Sequence, residues 1–267
     1  MLDPGTFLAT KYSVDAHVAT ITLNRPERRN ALNRRAYDEL EAAFRAAQAD
    51  GQVRAVVVTG VDPSFCSGED VGETMAAAPE TAAKRQAMVR VPATPAAMAA
   101  LECDKPVIAA VNGAAVGWGM ELVLFADIRI ASVNAKFAEL FIKRGLICDV
   151  GGLTRLPAIV GPAKAAELLF TGDAIDAAEA LRIGLVSETV PHAELMPRAM
   201  ALAGRIAANP PLALRFMKEG LRRGAQGDAR DVGSWAIETI YKLMQTADHR
   251  EGVAAFLEKR EPRFTGG

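Results

Sequence analysis

The sequence predicts an α/β core that gives way to an all-helical C-terminal part. Apolar, β-branched runs alternate with a helical pattern over the first 150 residues or so, and nearly everything beyond reads as helix. Half of the 267 residues are hydrophobic, which suits one medium-sized globular unit with an appendage, or two modest domains.

Taken in order, VATITLN at 18–24 and AVVVTG at 55–60 read as strands, and RAYDELEAAFRAAQ between them reads as an amphipathic helix. Tyr37, Leu40, Phe44 and Ala47 recur at helical spacing, with Asp38, Glu41 and Arg45 on the other side, so the unit is βαβ. An Ala-rich segment near 80–101 reads as helix, and Ala-Pro-rich residues 76–97 as a mobile loop plus helix. PVIAAVNG at 106–113 is a strand whose unbroken apolar run implies burial on both faces. DIRIAS and KFAEL are short strands. Helices follow in PAKAAELLF, DAAEALRIG, residues 193–208, PLALRFMKEGLRR and one long run at 231–260. Asn209-Pro210-Pro211 stops one helix and allows the next to start with Pro in its first turn.

Charge and composition exclude several classes. The 31 Lys and Arg nearly cancel the 32 Asp and Glu, so no overall field holds nucleic acid or an acidic membrane, and an anionic ligand must be met locally. Aromatics are few and not interleaved with basic clusters. Cys66, Cys103 and Cys148 lack CxxC spacing, and His17, His192 and His249 are scattered, which argues against zinc. No basic leader and no long apolar run stands out, so the expected location is the cytoplasm.

Two glycine turns follow two of the strands. In AVVVTGVDPSFCSGEDVGE, Gly68 precedes Glu69, Asp70 and Val71; in VIAAVNGAAVGWGMELVLFAD, Gly117-Trp118-Gly119 opens a helix. Glycine lets the backbone approach a ligand closely, and a helix start leaves N–H groups unpaired. Two such turns can aim the amides of Glu69 and Trp118 at one oxygen, which is what enolate or tetrahedral-oxyanion chemistry needs; losing such a donor costs roughly 3 kcal/mol. Each turn alone is also compatible with an ordinary strand-to-helix connection. GWGMEL lacks the third glycine of a dinucleotide fingerprint, and no GxSxG elbow is present.

Together, NRPERRNALN, FCSGEDVG, VNGAAVGWGMEL, ADIRIAS, the stretch from LTRLPAIVG to LVSETV, and HREGVAAFLEKREPRF resemble, in order and over almost the whole chain, the crotonase or enoyl-CoA hydratase/isomerase superfamily. The resemblance implies a spiral of repeated ββα units followed by a C-terminal helical trimerisation region. Residues 1–200 would then form the core with the acyl-CoA site, and residues 201–267 the oligomerisation part of a homotrimer or dimer of trimers. It implies a CoA thioester as substrate, and neither cofactor, metal, nucleic acid nor membrane. The Glu69 and Trp118 amides match the family's oxyanion hole, although both positions depart from the usual small residues. Arg28 and its neighbours before Asn30, with Ser67, Gly68, Asp70, Val71 and Gly117, match stretches around the thioester and nucleotide, and Phe256 and Lys259 match C-terminal positions that reach CoA, often from a neighbouring subunit.

The resemblance also frames the chemistry. Glu121 matches the first of the two glutamates of family hydratases, but Phe141 stands at the second. Asp149, in GLICDVGGLTRLP, matches the acidic position that family isomerases use for proton transfer and a dehalogenase branch uses as nucleophile. The expected activity is therefore a shift of a C=C bond by carboxylate proton transfer. A 2-enoyl-CoA hydratase using Glu121 with Asp149, an acyl-CoA hydrolase or dehalogenase with an Asp149 nucleophile, and a non-catalytic acyl-CoA-binding protein are the alternatives. Asp149 also suits an N-cap and Glu121 a helix dipole. Glu139 is a spare carboxylate that strand alternation puts on the Phe141 face.

Overall fold

The protein is described here by a computed structural model that covers residues 2–74 and 94–267. Strands β1 (Thr10–Asp15), β2 (Val18–Leu23), β3 (Ala55–Gly60), β5 (Val107–Val111), β7 (Ile128–Ser132) and β10 (Glu188–Val190) form one sheet in the order β1-β2-β3-β5-β7-β10. Only the β1–β2 pair is antiparallel. A second sheet, β4-β6-β8-β9, is built from Ser64–Cys66, Ala114–Val116, Lys136–Ala138 and Ile175–Asp176. Consecutive strands β3/β4, β5/β6 and β7/β8 each place one member in each sheet, so the chain winds as a spiral of repeated units.

The βαβ reading is met: α1 (Arg34–Ala49) links parallel β2 and β3, capped by Asn33, whose side chain accepts from the Ala36 amide. Its Leu40, Phe44 and Ala47 are buried as their spacing requires. Its buried Glu39 does what periodicity does not reveal. The carboxylate accepts the Leu8, Ala9 and Thr10 amides at 2.8–3.1 Å, which fastens the chain's start to the helix. All five β5 residues are buried, as the apolar run predicts. Short α2 (Val71–Thr74) follows the first glycine turn. Of the Ala-rich segment, α3 (Pro95–Glu102) is helical, and residues 75–93 lie outside the described residues.

Helix α4 (Trp118–Phe125) is buried along its whole length. A π-helical turn at Gly151–Arg155 leads into α5 (Leu156–Val160), followed by α6 (Pro162–Thr171) and α7 (Ala177–Arg182). Helix α8 (Leu195–Ala207) lays Leu195, Ala199, Ala203 and Ala207 against Val57, Ile108 and Ala110 of the large sheet. It runs through residue 200 and ends ahead of Asn209-Pro210. Then come α9 (Pro211–Gly224), α10 (Ala229–Met244) and α11 (Ala247–Glu258). The last two correct the single long run: Thr246 caps a new helix by accepting the His249 amide. Lys218 anchors α9 by donating to the Lys105 carbonyl and pairing with Asp127 at 2.6 Å.

Replacing Glu39 by Ala strips acceptors from amides of which Ala9 and Thr10 lie in buried positions. The expected cost is about 3 kcal/mol, read as a melting temperature several degrees lower; an unchanged melting temperature contradicts the clasp.

Candidate active site

In the small sheet β4, β6 and β8 run parallel, so their C-terminal ends finish side by side. Beyond β4 comes Ser67-Gly68-Glu69, beyond β6 comes Gly117-Trp118, and beyond β8 come Glu139 and Phe141. Open α/β sheets place ligands at such ends. The first turn is held on its far side by the segment after Arg28: Ser67 donates to the Arg29 carbonyl, Leu32 to the Gly68 carbonyl and Asp70 to the Leu32 carbonyl. Thus the segment from Arg28 to Leu32 lies against the turn that leads to Asp70, so the two stretches expected at the nucleotide end of CoA are neighbours.

The two turns touch. Gly68 has φ +89°, and a Cβ there would come within 2.7 Å of the Val116 carbonyl oxygen and 3.3 Å of the Trp118 nitrogen. Gly117, at φ +54°, donates to the Ala138 carbonyl and starts α4 at Trp118. Neither the Glu69 nor the Trp118 amide meets an acceptor among the described residues. The bridge to Leu32 uses the groups on either side of Glu69, and a first-turn amide has no carbonyl behind it. Ser67, Glu69, Val71, Gly117, Trp118 and Phe141 line one cleft with Val116, Arg144 and Leu146. Those last three were not read from the sequence, and no spacing marks them.

The carboxylates separate by environment. Glu121 has no exposed surface, and its oxygens accept the Gly151 amide at 2.7 Å and the Gly152 amide at 3.0 and 3.1 Å. Burial pushes its carboxyl up to about 7, Gly152 and then Gly151 oppose this, and the Asp149 charge adds to the rise. It is neither a simple dipole partner nor a residue of the cleft wall: it receives the start of the next helix. A side chain at Gly151 would strike this carboxylate.

Asp149 is partly exposed and reaches the second turn at Trp118. Its Oδ2 accepts Thr94 Oγ1 at 2.9 Å and Trp118 Nε1 at 3.2 Å, and its Oδ1 accepts the Val150 amide at 2.8 Å. The bond to the adjacent Val150 amide is not a helix cap, and no side chain caps the turn at Gly151–Arg155. Trp118 is 5% exposed and packed edge-on against Tyr37 and Phe125, with ring centroids at 5.0 and 5.9 Å.

Four residues singled out in the sequence lie outside this cleft's lining. Asp70 is buried and paired with Arg25 at 3.0 Å, so its carboxylate braces the turn. Phe256 and Lys259 are exposed on the end of α11 and line no part of this cleft. Glu139 does not share the Phe141 face: β8 ends at Ala138 and a 3₁₀ turn (Leu140–Arg144) follows, so alternation lapses. The Glu139 side chain is 2% exposed, and neither oxygen has a partner among the described residues.

One constellation was not foreseen. Ser132 Oγ and His192 Nδ1 lie 3.1 Å apart, and His192 Nε2 lies 3.1 Å from Asp62 Oδ2. Ser132 has no exposed surface, so no acyl group reaches it, and the trio is a structural tie. Among the described residues no cluster of His, Cys, Asp and Glu suits a metal, and no helix is long and apolar enough to cross a membrane.

Burial, followed by the Glu121 charge, pushes Glu139 up to about 9. A carboxyl raised from 4.5 to about 9 is protonated in the folded chain but ionised in the unfolded one, so stability falls as pH rises between those values. Glu139→Gln removes that penalty. Its melting temperature should match the parent near pH 4 and exceed it increasingly toward pH 9, by several degrees; parallel curves contradict this origin.

The profile of the family described as enoyl-CoA hydratase/isomerase matches residues 13–267. A crotonyl-CoA hydratase of Syntrophomonas wolfei is 40% identical over 252 residues, covering 92% of this chain and 94% of that protein. A 1,2-epoxyphenylacetyl-CoA isomerase of Escherichia coli is 35% identical over 255 residues, covering 95% and 97%. A solved enoyl-CoA hydratase of Bacillus anthracis superposes with a TM-score of 0.90 at 33% identity, over 97% of this chain and 100% of that one. With two sheets wound by repeated strand pairs and two unpaired amides at adjacent strand ends, the chain belongs to the enoyl-CoA hydratase/isomerase family, the crotonase superfamily, and is one of its enzymes.

Proposed function

We propose that this enzyme shifts a carbon–carbon double bond of an enoyl-CoA, with the Glu69 and Trp118 amides holding the thioester oxygen and Asp149 carrying the proton. The observation that carries this reading is the division between the carboxylates: Glu121 is spent on Gly151 and Gly152 in a place without solvent, whereas Asp149 is partly exposed and bonded to Trp118. Asp149 takes a proton from C2 of a 3-enoyl thioester, the C–H pair becomes the enolate stabilised by the two amides, and the proton returns to C4. Phe141 on the cleft wall disfavours a positioned water. The isomerase named among the relatives supports the same reaction class.

Hydration is the second reading. The raised Glu121, near 7, falls in the range useful for acid–base work, and several relatives are named hydratases. Hydrolysis or dehalogenation through an Asp149 nucleophile remains a third. The binding-only alternative gives way to family membership.

We further infer a cytoplasmic enzyme needing no cofactor besides its CoA thioester substrate, in keeping with three buried free cysteines. We assign the acyl-CoA site to the core, residues 1–200 extended to the end of α8, and subunit association to the helices that follow. Apolar side chains on α9 and α10 support that assignment: Met217, Leu221, Ile237, Ile240, Tyr241 and Met244 are at least half exposed. Arg28, Phe256 and Lys259 are assigned to CoA, the latter two in a neighbouring subunit's site.

In deuterated water, 3-enoyl-CoA should be converted to 2-enoyl-CoA with solvent label, at least about a hundredfold more slowly by Asp149→Asn. Formation of a 3-hydroxyacyl product from 2-enoyl-CoA, abolished in Glu121→Gln, would favour hydration instead. Oxygen-18 in Asp149 after one turnover in labelled water would mark the nucleophile. By light scattering the enzyme should weigh three or six times the 28.3 kDa chain, and Leu221→Arg with Ile240→Arg should reduce it to one; a monomeric parent contradicts the association.

A further inference from the structure

An oxygen cradle made of backbone amides is indifferent to side chains, yet one of its members here is among the largest. Trp118 does not point into solvent: it is nearly buried, lies edge-on between Tyr37 of α1 and Phe125 of its own helix, and directs Nε1 at Asp149 Oδ2. A buried indole N–H needs an acceptor, and here the acceptor is the carboxylate assigned to proton transfer. Thr94 Oγ1 donates to the same oxygen. A carboxylate oxygen offers about two lone pairs, so Oδ2 is filled, while among the described residues Oδ1 holds only the Val150 amide.

We propose that Trp118 serves the reaction twice, its amide in the oxygen cradle and its indole as a positioning group that, with Thr94, pins Asp149 Oδ2 and leaves Oδ1 as the oxygen that exchanges the proton. This rests on Asp149 being the proton carrier, as argued above. The consequence is geometric. The donor for the thioester oxygen and the clamp on the base belong to one residue, wedged between two aromatic rings, so base and oxyanion keep a set separation without help from solvent. A smaller residue at 118 would preserve the amide and lose the clamp.

Among the described residues, the titratable groups that feel the Asp149 charge are Tyr37 from α1, Glu121 from α4 and its chain neighbour Cys148. Burial raises Tyr37 and Cys148 far enough to keep both neutral, which leaves Glu121 as the other group that titrates nearby.

Trp118→Phe keeps an aromatic ring and the backbone amide but deletes the indole donor. With 3-enoyl-CoA the expected result is a kcat about tenfold lower, KM changed less than about twofold, and the acid limb of kcat moved to higher pH, because the ionised carboxylate has lost a donor. Thr94→Val should move the same quantities in the same direction, and it stands in should Trp118→Phe fail to fold. The chain has two tryptophans, so in a Trp235→Phe background the emission is that of Trp118 alone. That emission should change when Asp149→Asn is added and stay as it is when Glu121→Gln is added, which distinguishes Asp149 from Glu121. Wild-type kcat and an unmoved acid limb in the folded variants, or emission indifferent to Asp149, overturn the clamp. An active Asp149→Asn enzyme instead overturns the proton-carrier reading on which it rests.

Discussion

The site depends on the parallel pairing of β4, β6 and β8. Parallel neighbours end in the same direction, so three separate stretches of chain finish at one place. Hydrogen bonding within the sheet is satisfied up to Cys66, Val116 and Ala138; past those residues the backbone turns away, and the amides of Glu69 and Trp118 have no strand to pair with. The Val116 carbonyl oxygen, just before the second turn, is close enough to Gly68 to exclude a Cβ, and glycine is therefore required by the packing of one turn on the other as much as by its φ.

Around this arrangement the fold spends its buried polar groups on bracing. Arg25 holds Asp70 and Glu73 and donates to the Ala31 carbonyl. Asn30 donates to the Val61 and Ser64 carbonyls and accepts the Arg25 amide, which ties the segment behind the first turn to the start of β4. Glu121 does the same for the helix that begins after Asp149. Each is a charge or amide bonded to backbone groups or, for Arg25, also to carboxylates, the condition under which burial is tolerable. Glu139 departs from that rule. It is held neutral by its surroundings, and neither of its oxygens has a partner among the described residues.

The chemistry follows from this division of labour. Backbone donors act without reorganising and tolerate varied side chains, so Glu69 and Trp118 can occupy positions where the family commonly has small residues. A proton carrier needs an accessible lone pair, which Asp149 retains and Glu121 does not. Phe141 brings an apolar surface to the cleft, so the loss of a second glutamate there is a change in what the pocket admits, water above all.

The β2–α1–β3 unit, buried β5, the helix opening at Trp118 and the helices after residue 150 were legible because each is specified by periodicity within one stretch: apolar spacing, Pro at a first turn, glycine after a strand. Short β4, β6, β9 and β10 were not, since two or three residues carry no period, and their pairing joins partners some 50 residues apart. The split between α10 and α11 escaped because Thr246 caps by its side chain inside an unbroken helical composition. At the site, the glycine turns, Asp149 and Phe141 could be named from sequence and family resemblance. What became of each carboxylate could not. That Glu121 meets Gly151 and Gly152, that Glu139 meets no partner among the described residues, and that the Trp118 indole reaches Asp149 are facts of through-space distance, set by how α4 packs against the chain around Asp149–Gly152. The sequence by itself determined which residues could hold an oxygen and move a proton; the tertiary structure decided which carboxylate was left free to do so, because hydrogen-bond partners distant in sequence consume one and spare the other.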